Sequence, residues 1–202
     1  MVEAAPPRLR LLHLLSASVV GLFLNFHIAN HIVGLFGEHR HIAFMAAGRH
    51  VYRSLPVEAV LLGLFGWQAL SGVALVIRGW RTRVGAIAWA KAASGLYLAL
   101  FLCIHVTAVL SGRAYGIDTD FRFAAQGMHI GLAWFFVPYY SLAVLAIFTH
   151  LGCALYWISQ GQNRPPQPWI VGVSAAVGGV LGLLIIASLG GVFFPVNPQV
   201  VL

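Results

Sequence analysis

Long apolar runs separated by short polar, charged or proline-containing stretches dominate this chain. An apolar helix needs about 20 residues to cross roughly 30 Å of hydrocarbon. Five stretches meet that length, at about 11–36, 56–78, 88–112, 130–159 and 169–194. The pattern therefore predicts an all-α integral membrane bundle of five transmembrane helices, forming a single domain over residues 1–202. Pro56 reads as a helix-start residue, Pro138 as a kink early in the fourth span, and Pro195 and Pro198 as the close of the fifth. Between spans, His41-Ile-Ala-Phe-Met-Ala-Ala begins a candidate amphipathic surface helix, although the segment with His39, His41 and His50 also reads as an exposed loop. Arg113 to Gly127 reads as an exposed loop, and Gly161 to Pro168 as a turn.

Composition supports a lipid solvent. Charged residues make up 8% of the chain and hydrophobic ones 60%, whereas a soluble domain is about 25% charged. The net charge of +7 does not indicate a nucleic-acid binder, because the cations sit in clusters flanking apolar runs, where membrane proteins carry them. Cys103 and Cys153 fall in different spans at different depths and make no disulfide framework. The first apolar run is too long for a cleavable signal peptide and lacks a small-residue cleavage pattern.

Lys and Arg counts give an orientation. Arg8, Arg10, Arg78, Arg81, Arg83, Lys91 and Arg164 share one side, and Arg40, Arg49, Arg53, Arg113 and Arg122 the other. The richer side is expected to be cytoplasmic, with the N-terminus inside, in a bacterial inner membrane. Trp80, Trp89, Trp157 and Trp169 fall near the expected inner ends, as an aromatic belt does.

Three histidines lie well inside apolar runs: His27, His105 and His150. Ionisable residues at that depth are rare and face functional interiors. Spans one and three run in the same direction, and His27 and His105 lie about 12–16 Å below the outer edge. Imidazoles at one depth on neighbouring helices can supply both axial bonds to a haem iron. Gly34 and Gly112, each seven residues after its histidine, would leave room for a flat macrocycle. A purely structural hydrogen-bonding role for these histidines stays open. His31, one turn beyond His27, is the substitute ligand. At the inner level His150 has Gln68 at comparable depth on span two. Gln is a poor haem ligand, and a bond from His150 to Gln68 or to a backbone carbonyl is an equal reading. Glu58, at the outer lip of span two, is a candidate for proton exchange with a quinol, or simply a solvated or Arg53-paired residue.

In order and spacing, several short motifs resemble the five-helix, single-polypeptide cytochrome b subunit of succinate dehydrogenases and fumarate reductases. They are Arg10-Leu-Leu-His13-Leu-Leu with Val20-Gly21-Leu-Phe-Leu and His27; Ser54-Leu-Pro56 with Glu58; Ser94-Gly95 ahead of Phe101-Leu-Cys-Ile-His105-Val; and Phe148-Thr-His150-Leu-Gly-Cys-Ala-Leu-Tyr-Trp157. The resemblance spans helices one to four. It implies two b haems held by four histidines, one from each of those helices, with His27 and His105 as the outer pair and His150 as one inner ligand. Span two departs from the pattern, because Gln68-Ala-Leu-Ser-Gly72 stands where the family has His-x-x-x-Gly. The outer haem is thus expected, while a second, inner haem lacks an axial ligand. The resemblance also implies electron transfer with a membrane quinone, menaquinone or ubiquinone, and flavoprotein and iron–sulfur subunits docked on the cytoplasmic face; Arg78, Arg81 and Arg83 suit such docking, and contact with lipid headgroups explains them equally well. A haem-free scaffold and a stand-alone b-type quinol-oxidising cytochrome are the rival expectations.

Overall fold

The structure is a computed structural model and describes residues 6–160 and 167–198. Seven α-helices account for most of it: α1 (Pro7–Gly34), α2 (Glu38–Tyr52), α3 (Leu55–Arg78), α4 (Ala86–Ala114), α5 (Phe121–His129), α6 (Ala133–Gln160) and α7 (Trp169–Leu189), with a 3-10 turn at Trp80–Thr82. Five of them, α1, α3, α4, α6 and α7, are long and apolar enough to span a membrane. The shortest, α7, has 21 residues, which reach about 32 Å. The expected turn from Gly161 lies mostly outside the described residues.

Helix ends follow local chemistry. Pro7 opens α1 and Pro56 sits in the first turn of α3, where a missing N–H costs nothing because those donors have no intrahelical partner. The fifth span closes earlier than expected. Gly190 caps α7, Gly191 adopts φ +81°, and the Val192 N–H bonds the Ala187 carbonyl at 2.9 Å. Glycine accepts that left-handed conformation without strain, so this pair ends the helix before Pro195 is reached. α6 continues through Pro138.

Successive spans pack in the order α1, α3, α4, α6, α7, and α7 returns to touch α1. The α6–α7 seam is the most extensive and is lined by small residues. A Cβ on Gly152 would lie 2.7 Å from Ser174, and one on Gly178 2.6 Å from Phe148. Small residues let membrane helices approach closely where no hydrophobic drive exists between them. The outward faces stay apolar: Leu22, Leu70, Leu183 and Val180 are each at least 60% exposed, a surface that lipid must cover.

Helices form in both connectors at one end of the bundle, the end expected to face outward and called outer below. Asp120 caps α5, its carboxylate accepting from the Arg122 and Phe123 N–H groups. Phe121, 1% exposed, then plugs the bundle against Val144, Ile185 and Leu189. α2 lies against α1 with His41 and Met45 buried, while His39 and His50 remain exposed. The loop reading of Arg113–Gly127 holds for Tyr115–Asp120, and gives way at Phe121, where a capped, amphipathic helix finds an apolar socket. Three ion pairs stitch this cap: Arg122–Glu38, Arg113–Glu58 and Arg49–Asp118.

Candidate functional site

Histidines gather at two levels inside the bundle. At the outer level the His27 ring, from α1, and the His105 ring, from α4, have centroids 5.9 Å apart at 68°. The two helices do not pack closely on one another, since α3 contacts both, so the rings reach across the interior. Phe23 stacks on His27 and Phe101 on His105, at 5.8 and 5.1 Å, which fixes both ring planes. Both imidazoles are half-buried. Among the described residues no protein group hydrogen-bonds to His27, His31 or His105.

Imidazole nitrogen sits about 2.0–2.1 Å from a coordinated metal, so rings sharing one metal have centres roughly 6 Å apart. The His27–His105 separation fits. No group of three or more His, Cys, Asp or Glu among the described residues is arranged to hold a bare metal ion. A haem iron asks less of the protein, because the macrocycle supplies four bonds and side chains only the axial ones.

The glycines expected to make room for a macrocycle face elsewhere. A Cβ on Gly34 would meet His41 at 3.1 Å and Phe121 at 3.5 Å, and one on Gly112 would meet Thr119 and Phe123 at 3.1 and 3.2 Å. Both admit the cap helices. The Gly34 carbonyl also accepts from Ser188 Oγ at 2.9 Å, tying α1 to α7.

His41 extends the outer cluster. His31 lies 4.8 Å from His27 and 5.4 Å from His41. The Asn30 amide donates to His41 Nε2 at 3.0 Å, while Asn30 Oδ1 and His41 Nδ1 are buried without a partner among the described residues. Burial, reinforced by the positive charges of its neighbours, pushes the His41 imidazole down to about 4.

At the inner level Gln68 and His150 do not meet. Gln68 Nε2 donates to the His13 carbonyl at 2.8 Å and to Ser16 Oγ at 2.5 Å, so this amide clamps α3 to α1 and is not placed as a ligand. His150 Nδ1 instead bonds the Lys91 carbonyl at 3.1 Å and Ser94 Oγ at 3.2 Å. Of the two bonds expected for His150, the one to a backbone carbonyl forms and the one to Gln68 does not, and its Nε2 stays open. Sequence reasoning passed over His13, whose Nδ1 bonds Ser71 Oγ at 2.7 Å. It stood in the first resemblance motif without a role, and the Ser-Gly dipeptide facing it on α3, repeated on α4, was the available signal.

Glu58 is held by Arg113, not Arg53; Arg53 donates to Thr119 Oγ1 at 2.7 Å. Cys103 is exposed and Cys153 buried, and both are free thiols.

The fold therefore defines the class: an all-α integral membrane protein with five spans and a histidine-lined interior. Comparison with family models, with curated proteins and with solved structures finds no match.

Proposed function

We propose that the chain is a haem b-binding membrane anchor of a succinate:quinone or quinol:fumarate oxidoreductase, passing electrons between an iron–sulfur subunit and a membrane quinone. The observation that carries this reading is the His27–His105 pair, from helices that run in parallel, at the separation a shared axial iron requires. A haem held there would supply one-electron chemistry. The chain's own part is to present two neutral imidazoles, hold their planes with Phe23 and Phe101, and keep the level away from lipid. Glu58, at the outer lip, is the group assigned to proton exchange with a quinone of the menaquinone or ubiquinone type.

In this reading the N-terminus and the turn at Trp80–Thr82 face the cytoplasm of a bacterial inner membrane. Each of the three described ion pairs neutralises an arginine on the opposite side, leaving Arg78 and Arg81 exposed at the inner end. Those two are the docking cations for an acidic face of the iron–sulfur subunit, accompanied by a flavoprotein. Arg83 is committed elsewhere, lying over the Trp89 ring at 5.1 Å and donating to the Val76 carbonyl.

A reduced-minus-oxidised visible spectrum of the purified chain tests the proposal. A b-type α-band is the expected result. A colourless, well-folded preparation after expression with ample haem would favour a membrane scaffold. A haem-bearing chain that purifies from its native membrane alone would point to a stand-alone quinol-oxidising cytochrome.

A further inference from the structure

We propose that His13 and His150 form a second axial pair, holding a haem iron at the inner level, with α1 supplying the ligand that α3 lacks; this rests on the haem reading above. The tautomers carry the argument. Ser71 donates its hydroxyl hydrogen to the Trp67 carbonyl at 2.5 Å, so at 2.7 Å it accepts from His13 Nδ1–H. Ser94 likewise spends its hydrogen on the Ala90 carbonyl at 2.7 Å. His150 Nδ1 lies against both Ser94 Oγ and the Lys91 carbonyl, and a carbonyl has no hydrogen to give. Both rings therefore carry their proton on Nδ1 and leave the Nε2 lone pair free. A metal-ligating histidine is commonly held in this way, its second nitrogen donating to a fixed oxygen.

The two holders are built alike. Ser71-Gly72 on α3 and Ser94-Gly95 on α4 each pair an accepting hydroxyl with a glycine that lets the ring pass. A Cβ on Gly72 would lie 3.4 Å from His13 Cε1, and one on Gly95 3.0 Å from His150 Cε1. Each ring is fixed by a helix other than its own, which orients it before any ligand arrives.

Position and charge agree. His13 precedes His27 by two heptads on α1, hence on nearly the same face and about 21 Å deeper towards the inner side. The helices that hold the two rings, α3 and α4, pack against one another, and the Lys91 carbonyl that bonds His150 belongs to α4. Lys91 has no carboxylate partner among the described residues. A partly buried cation on the helix that holds His150 suits a macrocycle that carries carboxylate side chains. Gln68 takes no part in ligation, because its amide is spent on the α1 backbone and Ser16.

The test combines haem quantitation as the pyridine haemochrome with electron paramagnetic resonance, on the full chain and on His13→Ala, His13→Met, His150→Ala and His27→Ala. The expected wild type holds two haems per chain with two low-spin signals. His27→Ala should lose one signal, and His13→Ala and His150→Ala the other, the surviving signal in each reporting an intact fold. If an alanine variant fails to accumulate, His13→Met decides. Thioether ligation should keep two haems, leave the outer signal unchanged and convert the inner one, with a raised midpoint potential. One haem per chain, lost in His27→Ala but retained in full by the His13 and His150 variants, would overturn this inference and leave the proposed function standing. No haem in the wild type would defeat the proposed function itself, and this inference with it.

Discussion

Arg113, at the outer end of α4, donates from its two terminal nitrogens to the two carboxylate oxygens of Glu58, in the first turn of α3. The forked geometry makes this stronger than a single surface contact. Both side chains keep a quarter to a third of their surface exposed, so screening discounts it. Glu58→Gln should lower stability by about 1 kcal/mol. Thermal unfolding in mild detergent at two salt concentrations checks this, the gap between wild type and variant narrowing at high salt. An unchanged gap of several times that size would mean Glu58 holds more than Arg113.

Replacing His27 or His105 by alanine should abolish the outer haem signal and lower thermal stability, because a bound cofactor stabilises the native state by mass action. His31→Ala should retain the signal. Full haem with unaltered spectra in both the His27 and His105 variants would move the ligand assignment to His31.

Gly178→Ala should destabilise the bundle by about 1–3 kcal/mol through overpacking. The new methyl group would lie 2.6 Å from Phe148 Cβ and 3.1 Å from the Val144 carbonyl, and backbone cannot yield as a side-chain tip does. Gly21→Ala, with nothing within 4 Å, is the control. Equal melting temperatures for the two variants would contradict the close α6–α7 seam.

His41 makes the cap acid-sensitive. Its imidazole ordinarily titrates near 6.5, but burial against Phe121 and His31, with Asn30 bonded to Nε2 and the Arg49 charge nearby, holds it near 4. The folded state thus resists a proton that the unfolded chain accepts. Its stabilising contribution is complete above about pH 6.5 and declines as pH falls towards 4, by up to about 3 kcal/mol. Limited proteolysis of the α2 segment between pH 7 and pH 4.5 should show rising cleavage, flattened in His41→Asn. Identical profiles for variant and wild type would assign the acid sensitivity elsewhere.

Topology can be read by labelling. A cysteine introduced at Thr82, between α3 and α4, should resist a membrane-impermeant maleimide in intact cells, whereas one at His50 should react. The opposite pattern would invert the bundle and place Arg81 outside.

The spans were legible because length and apolarity alone decide what crosses a bilayer, whatever the neighbours. The depth match of His27 and His105 was legible for the same reason, since rise per residue converts position into depth. Three things were not. The α5 helix depends on a socket formed by Val144, Ile185 and Leu189, far away in sequence, although Asp120 ahead of Phe121, Ala124, Ala125 and Met128 was a readable cap and stripe. The roles of Gly34 and Gly112 depend on which neighbour approaches, and spacing from a histidine says nothing of that. Gln68 lies at the right depth but turns towards α1, where Ser16 and the His13 carbonyl accept from its amide, while His150 is held by α4.

The Phe121 plug also has a consequence for the order of assembly. Its socket draws on Val144 from α6 and on Ile185 and Leu189 from α7, and Ser188 secures Gly34 beside it. A chain emerging from the ribosome has its first four spans available before the last one exists to complete that socket. We expect this mouth of the bundle to close only after the final span inserts, so that the interior is reachable from that side during biogenesis and sealed afterwards. A chain ending at Gln160 should insert its four spans yet be cleaved rapidly within Glu38–Tyr52 by an external protease. Equal resistance in the truncated and full-length chains would show that the mouth closes without α7.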